Sequence, residues 1–212
     1  MESTKRLDVG QALKGCFDIG LKNVFSVLGA ALLWLITVWI PYLNIGTTIA
    51  LTTVLPFKLA KGEPFSPTEI FDAKYRENMT NWFLILGLVN AAIGFALLLF
   101  ILPAIVLHFA WMLAAILVVN MGSKPIDAMN ESYNATYGSK WAIFFSYFIL
   151  GIILFVVSLI IGLIATQVTF LGVLLYLALT IVSLGLYFGL IAQIIKTLLL
   201  NDEMTEPIEQ FE

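Results

Sequence analysis

"WFLILGLVNAAIGFALLLFILPAIVLHFAWMLAAILVVNM", residues 82–121, runs for 40 residues without a formal charge. As one helix it would extend about 60 Å at 1.5 Å per residue, about twice the hydrocarbon thickness of a bilayer. The run must therefore fold back on itself, and Pro103, which has no backbone N–H to donate, marks the expected turn. The whole chain carries the same signature. Its residues are 60% hydrophobic and 12% charged, and the mean hydropathy is +0.98, far from the balance of soluble domains. Lipid is the main solvent.

Working outward, residues 24–40 and 42–60 are two further apolar runs of spanning length, and 141–195 is long enough for two more. Within the last run only Thr166, Gln167 and Thr169 offer a reversal. The expectation is an all-α integral membrane fold with six transmembrane helices arranged as three hairpins. It forms a single domain over residues 1–200, followed by an acidic, solvated tail at 201–212. Twenty-three mixed residues precede the first span, so no cleaved leader is expected.

Orientation follows from the charges, because Lys and Arg in short loops stay cytoplasmic. All eleven basic residues fall in the terminal segments, in 61–81 and 122–140, or at helix ends facing them. The opposite turns, near 41–46, 102–103 and 165–168, carry none. Both termini are expected on the cytoplasmic side of a prokaryotic inner membrane. The N-x-S/T matches at Asn78, Asn130 and Asn134 lie on that side and read as chance. Trp34, Trp39 and Tyr42 near one interface, and Trp82 and Trp141 near the other, read as belt anchors.

Each hairpin is preceded by a polar segment with helical periodicity. In "KPIDAMNESYNATYGSKWAIFF", residues 124–145, Pro125 opens a helix whose apolar stripe is Ile126, Met129, Tyr133, Tyr137 and Trp141, with Asp127, Asn130, Glu131 and Asn134 opposite. Residues 9–22 repeat the design with Val9, Leu13, Cys16, Phe17 and Gly20 on one face, and 67–83 are a third copy. A shift of 58 residues aligns Leu13 with Phe71 and Met129, Phe17 with Tyr75 and Tyr133, and Pro67 with Pro125. The units read as 7–60, 65–121 and 124–200, each an interfacial amphipathic helix followed by a hairpin. Units of two spans keep one orientation, unlike the inverted repeats of many transporters.

The stretch "PIDAMNESYNATYGSKWAIFFSYFILGIIL" resembles the juxtamembrane segment of poorly characterised prokaryotic multi-pass membrane families, including the membrane domain attached to some glycerophosphoryl diester phosphodiesterases. "IPYLNIGTTIALTTVLPFKLAKGEPFSPTEIFDAKYRENMTNWF" is similar to other such families. The resemblance implies an architecture and a prokaryotic membrane. It implies no activity, because the catalytic domain of those phosphodiesterases has no counterpart here.

Chemistry is sparse. The expected span interiors hold no Asp, Glu, Lys or Arg, which disfavours a proton relay. Cys16 is the only cysteine and reads as a small apolar residue. His108 is the only histidine: as a metal ligand it would lack His or Cys partners, and as a neutral side chain it could bond another helix. Asn90, beside Gly87, Ala91 and Gly94, reads as a polar path or a helix contact, as do Tyr176, Thr180, Ser183 and Tyr187, which form one hydroxyl stripe on span six. Thr48 and Thr52 raise the same question in span two. Ser158 and Gly162 on span five and Gly185 and Gly189 on span six are helix-packing residues. The Gly185/Gly189 stripe is expected either to face a second protein or to meet span five.

No catalytic constellation, phosphate loop, cofactor motif or metal set is legible, and no basic run points to nucleic acid. An enzyme is not expected. The sequence favours a non-catalytic helix-bundle scaffold or accessory subunit that binds a partner or organises lipid, working as a homo-oligomer or in a larger membrane complex. The alternative is a passive channel or carrier for a small uncharged solute.

Overall fold

The computed structural model describes residues 6–200, so the expected acidic tail at 201–212 lies outside the described residues. Among the described residues every regular element is helical. In chain order these are α1 (Val9–Lys22), α2 (Val24–Thr37), α3 (Pro41–Ile49), a π turn (Ala50–Val54), α4 (Leu55–Lys61), a 3-10 turn (Pro67–Phe71), α5 (Lys74–Glu77) and α6 (Met79–Leu99), followed by α7 (Ile101–Trp111), α8 (Ala114–Met121), α9 (Pro125–Ala135), α10 (Lys140–Gln167) and α11 (Thr169–Leu198). Five helical stretches are long and apolar enough to cross a bilayer: Pro41–Lys61, Met79–Leu99, Ile101–Met121, Lys140–Gln167 and Thr169–Leu198. A sixth arises if α1 and α2, bent by 70° at Asn23, count as one span. The chain is a multi-pass membrane protein.

The turns follow from local chemistry. Asn23 donates from Nδ2 to the Ile19 carbonyl at 2.8 Å, and this side-chain competition marks the α1/α2 bend. The turn expected at Pro103 lies instead at Phe100, whose φ of −160° and ψ of 148° are extended. Pro103 cannot donate to the Leu99 carbonyl, so α6 stops at Leu99, and the proline sits in the first turn of α7, where no donor is needed. The break expected around Thr166, Gln167 and Thr169 is at Val168, between α10 and α11. Span one is shorter than expected, because the helix ends at Thr37 and Pro41 opens the next. The expected third polar helix at 67–83 is likewise broken: Asp72 leaves helical geometry, and its carboxylate accepts the Lys74 N–H at 3.0 Å, an Asx turn ahead of α5.

The core lies where α1, α4 and the C-terminal half of α11 meet, with Cys16, Leu55, Leu190, Ile194 and Ile195 fully buried. Gly20 and Gly189 permit a close approach of α1 and α11. A Cβ at Gly189 would lie 2.5 Å from the Cys16 carbonyl oxygen, and one at Gly20 would lie 2.6 Å from the Gly185 oxygen. The Gly185/Gly189 stripe therefore meets α1 within the chain, and neither a second protein nor span five occupies that face. Span five uses its small residues elsewhere: Tyr176 of α11 donates to the Ser158 carbonyl at 3.0 Å, and a Cβ at Gly162 would sit 3.1 Å from the same hydroxyl. Away from this core, large apolar side chains such as Phe95, Phe100, Leu163 and Phe170 are exposed, as lipid-facing surfaces require.

The polar helix at 125–135 turns a different face inward from the one its apolar spacing predicts. Ile126, Tyr133, Tyr137 and Trp141 are exposed and of the expected stripe Met129 packs inward, whereas Ala128, Ser132, Thr136 and Ser139 are fully buried. The reason is the break between α7 and α8. Ser132 donates to the Ala110 carbonyl at 2.7 Å and accepts from the Leu113 N–H at 3.3 Å, and Thr136 also donates to Ala110. Hydroxyls there satisfy backbone groups that the interrupted helix releases inside the membrane region. Small side chains let α9 approach closely enough to do it.

Candidate functional site

A cavity of about 640 Å³ lies among the π turn, α6, α7, α8, α10 and α11. Its polar lining is Thr52, Thr53, Asn90, His108, Tyr147 and Tyr187, set in an apolar wall that includes Ile85, Val89, Ile93, Met112 and Ile191. No Asp, Glu, Lys or Arg lines it.

The π turn places the two threonines. Leu55 donates to the Ala50 carbonyl, five residues back, and Pro56 leaves Thr52 without its α-helical donor. Asn120 of α8 donates from Nδ2 to the Thr53 carbonyl at 3.2 Å, pinning the widened turn to span four. The threonine hydroxyls donate to their own helix, Thr52 to Thr48 at 2.7 Å and Thr53 to Ile49 at 2.6 Å. Their oxygens keep acceptor capacity toward the cavity.

Asn90 donates to the Leu86 carbonyl at 2.7 Å, which leaves its side-chain oxygen as a further acceptor. The neighbouring Gly87 and Gly94 meet no other helix, so this side of α6 is not a packing face within the chain. On the opposite wall the rings of His108, Phe109, Tyr147 and Tyr187 run in sequence, with centroid separations of 5.2, 6.2 and 6.3 Å. Imidazole and phenol groups supply donors. The cavity can therefore both donate and accept while staying uncharged.

Phe109 and Tyr147 also line a second, more open groove of about 460 Å³, otherwise formed by Phe144, Phe148, Gly151, Ile152 and Phe155. A Cβ at Gly151 would meet nothing, and Phe148 and Phe155 are exposed. The polar cavity and this aromatic groove thus share a wall, and the groove lies on the lipid-facing side of α10.

Of the residues singled out in the sequence, Asn90, His108 and Tyr187 come together here, with Thr52. Thr48 instead accepts the Trp34 indole N–H at 2.8 Å. Tyr176, Thr180 and Ser183 do not line the cavity. Thr180 donates to the Tyr176 carbonyl and Ser183 to the Thr180 carbonyl, both at 2.9 Å, so these three hydroxyls are closed on their own helix or on span five. Sequence reasoning missed Thr53, Asn120 and Tyr147. "TTVLP", residues 52–56, held a usable signal, a proline inside a span after two hydroxyls; Tyr147 had none. Among the described residues no group of three or more His, Cys, Asp or Glu comes together as a metal set.

No family model, no curated protein and no solved structure matches this chain. The functional reading rests on the cavity.

Proposed function

We propose that this chain is a non-catalytic membrane scaffold that organises lipid by holding one amphiphilic, lipid-like molecule within its helix bundle. The polar end lies in the cavity among Asn90, His108, Tyr147 and Tyr187, and the apolar part leaves past Phe109 into the aromatic groove. The observation that carries this reading is the shared wall between an uncharged hydrogen-bonding cavity and a lipid-facing aromatic groove. Ligand sites are commonly apolar clefts of about 300–1,000 Å³ with a few placed polar groups, and the cavity falls in that range. Of the span-six hydroxyl stripe the passive-carrier alternative has only Tyr187 in the cavity, since Thr180 and Ser183 bond their own helix.

The same reading places the protein in a prokaryotic cytoplasmic membrane with both termini cytoplasmic, in keeping with the family resemblance and with the sequence distribution of Lys and Arg; Arg76 departs from it, lying 5.4 Å from the ring of Tyr42 in the turn expected on the opposite side. It treats the chain as three repeated units. Gly62 and Gly122 end α4 and α8 with nearly the same left-handed geometry, φ 74° and ψ 13° against φ 71° and ψ 14°, though two residues off the 58-residue register. Cys16 and Ser132, two 58-residue steps apart, each donate to a carbonyl of a spanning helix, Leu186 at 3.1 Å and Ala110 at 2.7 Å. The polar segments also pack in rotation: 67–77 on α2 and α3, α9 on α6 to α8, and α1 on α10 and α11. Self-association or a larger membrane complex remains part of the proposal, through surfaces other than Gly185 and Gly189.

Native mass spectrometry of the purified protein tests the ligand. The wild type is expected to retain one amphiphile, and Asn90→Leu combined with Tyr187→Phe is expected to release it. A wild type that emerges empty from gentle extraction overturns the reading.

A further inference from the structure

A second cavity, of about 520 Å³, opens where α1, α4 and α11 end together. Each helix contributes a lysine from its last turn: Lys22, Lys61 and Lys196. A lysine in a last turn ordinarily offsets its own helix dipole, but these three line one cavity, where an anion would offset their like charge; the Lys61 ammonium also lies 5.1 Å from the Phe57 ring centroid. Asp18 and Glu63 also line it, and Lys61 lies 3.8 Å from Glu63. Among the described residues, no carboxylate forms an ion pair with Lys22 or Lys196. Among the described residues, three ammonium groups against two carboxylates leave one net positive charge. The rest of the wall is Asn23 and a set of apolar residues that includes Ile19, Leu59 and Pro64.

We infer that this cavity binds the head group of an anionic glycerophospholipid, its single phosphodiester charge set among Lys22, Lys61 and Lys196. The charge balance matches one negative charge, and the apolar wall suits the glycerol and first acyl carbons. Free phosphate is a mixture of the singly and doubly charged ions at neutral pH and has nothing to place against Ile19 and Leu59. Basic pockets between helices at a membrane surface recognise lipid head groups by this combination. The site is separate from the cavity at Asn90 and His108 and shares no residue with it.

The test uses the full chain in nanodiscs, comparing retention of phosphatidylglycerol and phosphatidylcholine. The wild type is expected to prefer phosphatidylglycerol, and the triple variant Lys22→Gln, Lys61→Gln, Lys196→Gln to lose at least about tenfold of that preference. A control with the same charge change elsewhere, Lys14→Gln, Lys74→Gln, Lys124→Gln, is expected to keep it. All three cavity lysines are exposed, so the variant is expected to fold, and Lys196→Gln alone gives a smaller loss of the same sign if it does not. Equal losses in both triples would mean diffuse surface attraction and overturn the site. So would no loss in either, or displacement of the lipid by inorganic phosphate.

Discussion

Ser132 donates to the carbonyl of Ala110 at 2.7 Å, across 22 residues of sequence and from one helix to the end of another. The hydroxyl is fully buried, and its oxygen also takes the Leu113 N–H. Ser132→Ala leaves that N–H without its side-chain acceptor and the Ala110 carbonyl with only the longer Thr136 contact. We expect a loss of about 1–2 kcal/mol in unfolding free energy, measured by steric trapping or mild denaturant titration in micelles. Ser132→Cys should recover part of it, because Cys16 makes the corresponding bond to Leu186.

Gly189→Leu is expected to disrupt the fold, while an oligomer interface would be the wrong target for it. The new side chain would enter the backbone of α1, where even a Cβ lies 2.5 Å from an oxygen. Helix packing around one misplaced large side chain costs about 1–3 kcal/mol or more. Proteolysis within α1 should accelerate in the variant. A folded Gly189→Leu protein with unchanged protease resistance would contradict the packing described.

Glu69 ties the 58–75 region together: its Oε1 accepts from Lys58 Nζ at 2.6 Å and from the Tyr75 hydroxyl at 2.9 Å. Partial burial favours the neutral acid, but the hydrogen bonds from Lys58 and Tyr75 and the charges of Lys58 and Lys74 outweigh it, holding the carboxyl below its ordinary value. A depressed carboxyl pKa stabilises the folded state above the unfolded value, and that contribution disappears as pH falls through the folded one. The tether should therefore hold at neutral pH and loosen below about pH 4. Hydrogen exchange at residues 67–77 as a function of pH checks this. Glu69→Gln should flatten the profile.

Replacing Asn120 with Leu should free the π turn, because the Thr53 carbonyl loses its partner on α8. The expected effect is local: a changed accessibility of cysteines placed at Thr52 or Thr53, with little change in overall helix content by circular dichroism. Unchanged accessibility would mean that Pro56 alone fixes the turn.

Much of the architecture was legible because bilayer thickness converts run length directly into spans: the 82–121 run had to reverse, and it does. The position of the reversal was three residues off, since Pro103 acts through the carbonyl of Leu99 and not at its own place. The inward face of α9 was unreadable for a different reason. Apolar spacing identifies the face that avoids water, but in a membrane protein that face can turn to lipid, and the buried side is chosen by backbone groups on a distant helix. The cavity was half visible: Asn90, His108 and Tyr187 stand out as polar residues in spans, whereas which of the hydroxyls on α11 reach it depends on rotation about a helix axis that packing alone decides.

The most direct test of the central claim fills the cavity. Val89→Trp places a large ring in the space bounded by Asn90, His108 and Tyr187 without removing a polar group. With lipid retention measured by native mass spectrometry at constant fold, the account predicts that the variant loses the bound amphiphile while the Lys22, Lys61, Lys196 triple variant keeps it. An amphiphile retained one to one when Val89→Trp is combined with that triple variant would contradict the account.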